Sequence, residues 1–336
     1  MAYASGDTIL DDHYNTFVRG GASAVDHNTA NVNTVWGTAA TGDKGYGQSG
    51  DLSAVSAGTT ITATQWVNLL NRVSTIANHQ GTSITAISNP TTGDTISAYT
   101  ALSGNISSIF TNRLNCAASG SDITAGGAIS GTNTWRDLQT TTITVDFDTN
   151  AKARYFFNAG GRIALSFSRT GGTASSKNTG WSNLCTACGT IYFSGGSGSA
   201  TIAGGTYTGT NKSGGSGSTT TLSTTSGWYD LTTSFVEVFK QYDSTYLYTA
   251  NYIKVEVKAD AATPTQYQFK VSFVDAADTT GWADGTINDG GAELDETVDG
   301  TLAATCVVKP PATTYLSASW GTPTISGTAM GGDTYS

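Results

Sequence analysis

The stretch from Ala153 to Gly172 is the densest aromatic run in a chain otherwise made of Gly, Ser, Thr and Ala. From Arg162 onward, Ile163, Leu165 and Phe167 alternate with Arg162, Ala164, Ser166 and Ser168. A period of two marks a strand with one buried face. Before it, Tyr155-Phe156-Phe157 reads as a strand buried on both faces. Asn158-Ala159-Gly160-Gly161 between them supplies turn residues that tolerate positive φ. The expectation is a core hairpin of a β-sandwich, with ligand stacking by the aromatics as the competing reading.

The rest of the chain agrees with a β-rich fold. Of 336 residues only 12% are charged, against about 25% in an ordinary domain, and there are 41 Gly but only 5 Pro. Small and β-branched residues favour strands and tight turns. The net charge of −9 argues against a nucleic-acid partner, because phosphate binding needs a basic face. No apolar run approaches the roughly 18 residues of a membrane-spanning helix, so no membrane insertion is expected. Met1 to Asp7 lacks the basic and apolar regions of an export signal, so Sec-type export is not expected.

Taken in order, residues 1–115 read as a helical zone. A weak repeat of turn, apolar anchor, cap and helix starts at Gly6, Gly58 and Gly93. In the middle copy Thr62 and Gln65 have capping-box spacing, and Trp66, Leu69, Leu70, Val73, Ile76 and Ala77 form one apolar stripe. Further helices are expected near Asp11–Val18 and Ala98–Leu114. Residues 116–134, with nothing to build a core, read as a Gly/Ser linker. From Trp135 to Val308 the pattern is strand. Ile143, Val145 and Phe147 point inward, and a helical turn at Trp181–Leu184 leads to a strand at Gly189–Phe193. Ser194–Ser218 is either a long exposed loop or a pair of thin outer strands. Asn251–Lys258 and Tyr267–Asp275 are the clearest alternating strands, expected to pair as a hairpin around Asp260–Thr265. The segment 309–336 reads as an extended arm. The fold class is thus mainly β: a small helical N-terminal anchoring domain, an antiparallel β-sandwich of jelly-roll type over 135–308, and an extended C-terminal tail.

Chemistry-bearing residues are sparse. Cys185-Thr186-Ala187-Cys188 has the spacing of a zinc or redox pair, but Cys116 and Cys306 are isolated, so buried free thiols are expected. His13, His27 and His79 are scattered. The acidic stretch 275–299 has the oxygen density to hold calcium but not the spacing of a helix-loop-helix site, so a solvated loop and no metal are expected. No nucleophile elbow, phosphate loop, dinucleotide fingerprint or zinc-protease motif occurs, and no enzyme activity or catalytic residue is expected. Trp228, Tyr229 and Trp282, each near a carboxylate, are the candidate ligand-binding residues.

The string Arg154–Ile163, with Gly189–Phe193, Tyr229-Asp230-Leu231-Thr232 and Asn251–Val255, resembles virion structural proteins of tailed bacteriophages, closest to those of contractile-tailed phages infecting marine cyanobacteria. Gly45-Tyr46-Gly47-Gln48, Gln65–Leu70 and Asn78-His79-Gln80-Gly81 resemble the leading segment of the same group. The resemblance implies a non-enzymatic tail or tail-fibre subunit, assembled in the host cytoplasm and released by lysis. It implies self-association, a trimer if a fibre, and contact with other virion proteins. A carbohydrate-binding receptor-recognition module for host surface glycans, or a capsid decoration protein, is the alternative.

Overall fold

The computed structural model describes residues 11–21, 24–91, 98–124, 128–196, 198–245, 248–276 and 297–332. Among the described residues the N-terminal part holds four α-helices: α1 (Asp11–Arg19), α2 (Val32–Trp36), α3 (Ala63–Gln80) and α4 (Tyr99–Thr111). The Thr62 hydroxyl accepts from the Gln65 backbone N–H, and the Gln65 side chain accepts from the Thr62 N–H, so the expected capping box starts α3. Gly81 ends it at φ 68°, a left-handed cap that favours glycine. The stripe from Trp66 to Ala77 is buried along its length.

Strands β1 (Ala128–Gly131) and β2 (Leu138–Asp146) come next, then α5 (Asn150–Asn158), β3 (Arg162–Thr170) and α6 (Ser176–Cys188). They are followed by β4 (Thr190–Phe193), β5 (Ala200–Ile202), β6 (Gly205–Tyr207), β7 (Thr210–Ser213) and β8 (Thr221–Leu222). The chain continues through β9 (Val236–Tyr242), β10 (Tyr252–Ala259), β11 (Gln266–Val274), β12 (Thr301–Lys309), β13 (Thr324–Gly327) and β14 (Gly331–Gly332). The first sheet has the order β1-β12-β3-β4-β7; the second runs β13-β2-β11-β10-β9-β8, with β14 also on β2. All these pairs are antiparallel. The fold is mainly β. Phe167 on β3 meets Phe273 on β11 at 5.9 Å, and Phe193 on β4 meets Phe269 on β11 at 5.4 Å, so the two sheets touch through aromatic side chains.

Several sequence expectations differ from what is observed. Tyr155-Phe156-Phe157 is not a strand but the last turn of α5, started by the Thr149 hydroxyl accepting from Lys152 N–H. Ala153 through Asn158 are all buried, so no polar face survives to reveal a helical period. A continuously buried run cannot be told from a strand by periodicity. The helical turn at Trp181 belongs to a full helix capped by Ser175. The expected linker 116–134 is tied into the sheets: β1 pairs with β12, and Cys116, Ser119 and Ile123 form bridges to Ile202, Pro311 and Val308. Backbone pairing needs no side chain, so composition does not announce it. Ser194–Ser218 takes the thin-strand form, as the β5–β6 hairpin and β7. The C-terminal tail lies on its own chain, with β13 and β14 covering the edge of β2 and Leu316 and Trp320 buried. Helices and sheets share one hydrophobic cluster that runs from Tyr14 to Met330. Among the described residues no helix is long and apolar enough to cross a membrane.

Candidate binding face and buried junction

Trp228 and Tyr229 lie in a single 3-10 turn, Trp228–Asp230. Trp228 is 6% exposed, stacked over Phe157 at 6.5 Å with Tyr229 edge-on at 4.4 Å. The Tyr229 hydroxyl lies against Asp43 O and Asn158 Oδ1, and burial pushes its pKa up. Both rings are occupied by intramolecular packing rather than presented to a ligand. Trp282 and positions 277–296 of the acidic stretch lie outside the described residues. The two ends of that stretch are engaged: Asp275 with Lys177 at 2.7 Å and Asp299 with Arg169 at 2.9 Å.

Three of the segments that carry the phage resemblance, Gly45–Gln48, Asn78–Gly81 and the start of Arg154–Ile163, meet at one buried junction. The Asn158 amide donates to Asp43 O and Gly45 O, and Arg154 Nη2 donates to Thr38 O at 2.7 Å. Gly47, at φ +67°, is in contact with the Tyr155 ring where a side chain would begin, so only glycine fits. Gln80 Nε2 donates to the Tyr46 hydroxyl at 2.8 Å, and that hydroxyl donates to Arg113 O at 2.7 Å. His79 Nε2 lies 3.0 Å from Ala159 O; a carbonyl only accepts, so Nε2 carries the proton. Burial pulls the His79 pKa down to about 4, against a partial opposing effect of the Ala159 hydrogen bond. Burial likewise pushes the Tyr46 phenol up. His, Tyr, Gln and Asn thus cluster as they do in active sites, but each of these side chains is spent on fastening helices and loops to one another.

The cysteines are free and buried. Burial pushes Cys185 and Cys306 up to about 12 and raises Cys116 and Cys188 as well, which holds them as thiols rather than as the thiolates that bind metal or attack disulfides. His13 packs edge-on against Tyr99 at 5.3 Å, and His27 Nδ1 is 2.9 Å from the Thr34 hydroxyl. Among the described residues no group of three or more His, Cys, Asp or Glu is arranged to hold a metal ion.

The outward face of the second sheet carries rows of tyrosine and lysine. Strand register sets Tyr242 opposite Tyr252, with Val274 and Leu138 in the same cross-strand row; Tyr242 and Leu138 are 37% and 38% exposed. The next row sets Lys240 opposite Lys254, a like-charge pair that costs stability. A bulge between Phe239 and Glu237 puts Glu237 on the same face as Lys240, three residues away, where they pair at 3.3 Å. Burial lowers the Lys240 pKa, but the Glu237 bond and the two tyrosines outweigh it and hold the group above its ordinary value. Glu256 takes Lys254 at 3.1 Å and Lys270 at 3.7 Å. Lys240 lies 4.7 Å above the Tyr252 ring, and Lys258 lies 4.8 Å above Phe235. Lys240, Lys254, Lys258 and Lys270 against Glu237 and Glu256 leave these rows positive in a chain of net charge −9. Asp146, at the far end of β2, is hydrogen-bonded by Gln266.

The alternation of Lys254, Glu256 and Lys258 is legible in the sequence. Their juxtaposition with Lys240, Tyr242 and Lys270 is not, because it depends on register and on the bulge. No family model matches this chain, and no curated protein or solved structure is significantly similar to it.

Proposed function

We propose that this chain is a non-enzymatic structural component of a tailed-phage virion, a tail or tail-fibre subunit. In this reading the helical part anchors the subunit, and the two sheets, packed face to face as a sandwich, point outward. The observation that carries it is the junction. Gly45–Gln48, Asn78–Gly81, Arg154–Ile163 and Tyr229, which belong to part of the set that carries the resemblance, meet in one place although they are distant in sequence. A motif set that packs together as a structural joint fits a repeated building block. Light scattering on the purified full-length protein tests it. A trimer or larger closed ring is expected, since virion parts are symmetric assemblies. A clean monomer at high concentration overturns the reading.

The second reading, a carbohydrate-binding surface for host glycans, is favoured by the lysine–tyrosine face. Tyrosine rings offer stacking planes, and lysines suit carboxylate- or sulfate-bearing sugars. On immobilised acidic glycans the Tyr242→Ala/Tyr252→Ala double variant is expected to bind about tenfold more weakly, roughly 1.4 kcal/mol. Unchanged binding, or no binding by the parent, removes this reading.

A further inference from the structure

Near its N-terminus α6 carries Lys177 inward, where Nζ lies 2.7 Å from Asp275 Oδ2, and neither side chain exposes any surface. Few lysines are fully buried, and desolvating both charges costs more than an ordinary ion pair returns. Aromatic packing lies close by along both elements, α6 and β11. Trp181, one turn further along α6, packs on Trp135 at 4.9 Å and on Phe273 at 6.3 Å, and Phe273 lies two residues before Asp275. The Asp275 N–H donates to Asp137 O at 2.9 Å, which holds the acid at the end of β11. A second buried carboxylate, Asp243, faces the same side of α6: its Oδ2 is 2.7 Å from where a side chain on Gly180 would begin. Gly180 is three residues from Lys177, hence on the same helix face.

We infer that Lys177 and Asp275 become joined by an intramolecular isopeptide bond. A proton passes from the ammonium to the carboxylate across the 2.7 Å contact, giving amine and carboxylic acid. The Nζ lone pair attacks Cγ, and a C–N bond forms as the carbonyl opens to a tetrahedral centre. The Cγ–OH bond then breaks, and the hydroxyl leaves with a proton from the nitrogen as water. Asp243, facing the same turn, is the group to relay that proton. The sum is ammonium plus carboxylate giving amide plus water, with no change of oxidation state and no co-reactant. Fixing the two groups in contact supplies the entropy that the bimolecular reaction lacks. Complete burial of both side chains keeps the expelled water from returning. The product staples α6 to the end of β11 and restricts the unfolded chain as a disulfide would. This holds whether or not the chain is a virion component.

Mass spectrometry of the denatured full-length protein tests it. The protein is expected to be lighter than its sequence by one water molecule, and its protease digest to contain a branched peptide joining the Lys177 and Asp275 fragments. Lys177→Arg and Asp275→Ala are expected at their full sequence masses. Asp275→Asn is expected to lose ammonia instead of water and to reach the same final mass as the parent. A parent at its full sequence mass with no branched peptide overturns the proposal. A water loss that persists in Lys177→Arg also overturns it, because the dehydration then lies elsewhere.

Discussion

Phe157→Ala is expected to lower the unfolding free energy by about 3–5 kcal/mol, the range for emptying an aromatic site in a packed core. Phe157 is 1% exposed and sits where α5, both sheets and the Trp228 turn meet. Its ring lies 5.1 Å from Phe156, 5.5 Å from Tyr267, 5.7 Å from Phe147, 5.8 Å from Phe193 and 6.5 Å from Trp228. These neighbours come from separate elements, so none can move into the space without breaking its own contacts, and the cavity term adds to the lost transfer energy. Against a usual total of about 5–15 kcal/mol, the loss is a large fraction of the whole. Tyr315→Ala, at a position 43% exposed, is the matched control and is expected to stay within about 0.5 kcal/mol. Urea unfolding of the two variants decides the matter. A Phe157→Ala loss no larger than that of the control would mean that the junction is not packed as described.

The second large effect is on acid stability. His79 titrates near 4 in the folded chain, against about 6.5 when unfolded, because protonating Nδ1 would place a charge in the core beside the Tyr46 ring at 5.3 Å. Between these two values the unfolded state binds more protons than the folded state. Stability therefore falls as pH drops from about 6.5 to about 4, then levels off, for a total of about 3 kcal/mol. His27, lowered mainly by burial, acts with the same sign. Asp299 is held low by Thr173 and Arg169 despite burial, so its contribution is lost only below the ordinary carboxylate range. His79→Gln keeps a donor for Ala159 O and does not titrate, so it isolates the effect. Urea midpoints at pH 7 and pH 4.5 are expected to separate much more for the parent than for His79→Gln. Equal separation would place the acid sensitivity in other groups.

Physical periodicity decides which parts of this fold are legible in the chain. The α3 stripe with its Thr62–Gln65 box, the β10–β11 hairpin and the inward set Ile143, Val145 and Phe147 each have one wet face and one dry face, so local pattern specifies them. The Ala153–Asn158 part of helix α5 has no wet face: Arg154 and Asn158 are buried too, hydrogen-bonded to the carbonyls of Thr38, Asp43 and Gly45, more than a hundred residues away in sequence. Trp228 and Tyr229 read as candidate stacking rings because aromatics beside a carboxylate look alike in a groove and in a core; only the position of Phe157 and Asn158 distinguishes the two. The lysine–tyrosine face, the covered edge of β2 and the buried Lys177–Asp275 contact depend on strand register and on which helix lies over which sheet end. Local sequence thus determined the amphipathic helices, the alternating strands and the mainly β class, because those are set by neighbours within a few residues. The tertiary structure alone decided which polar groups meet across long separations, since burial without a partner is costly and the partners come from anywhere in the chain.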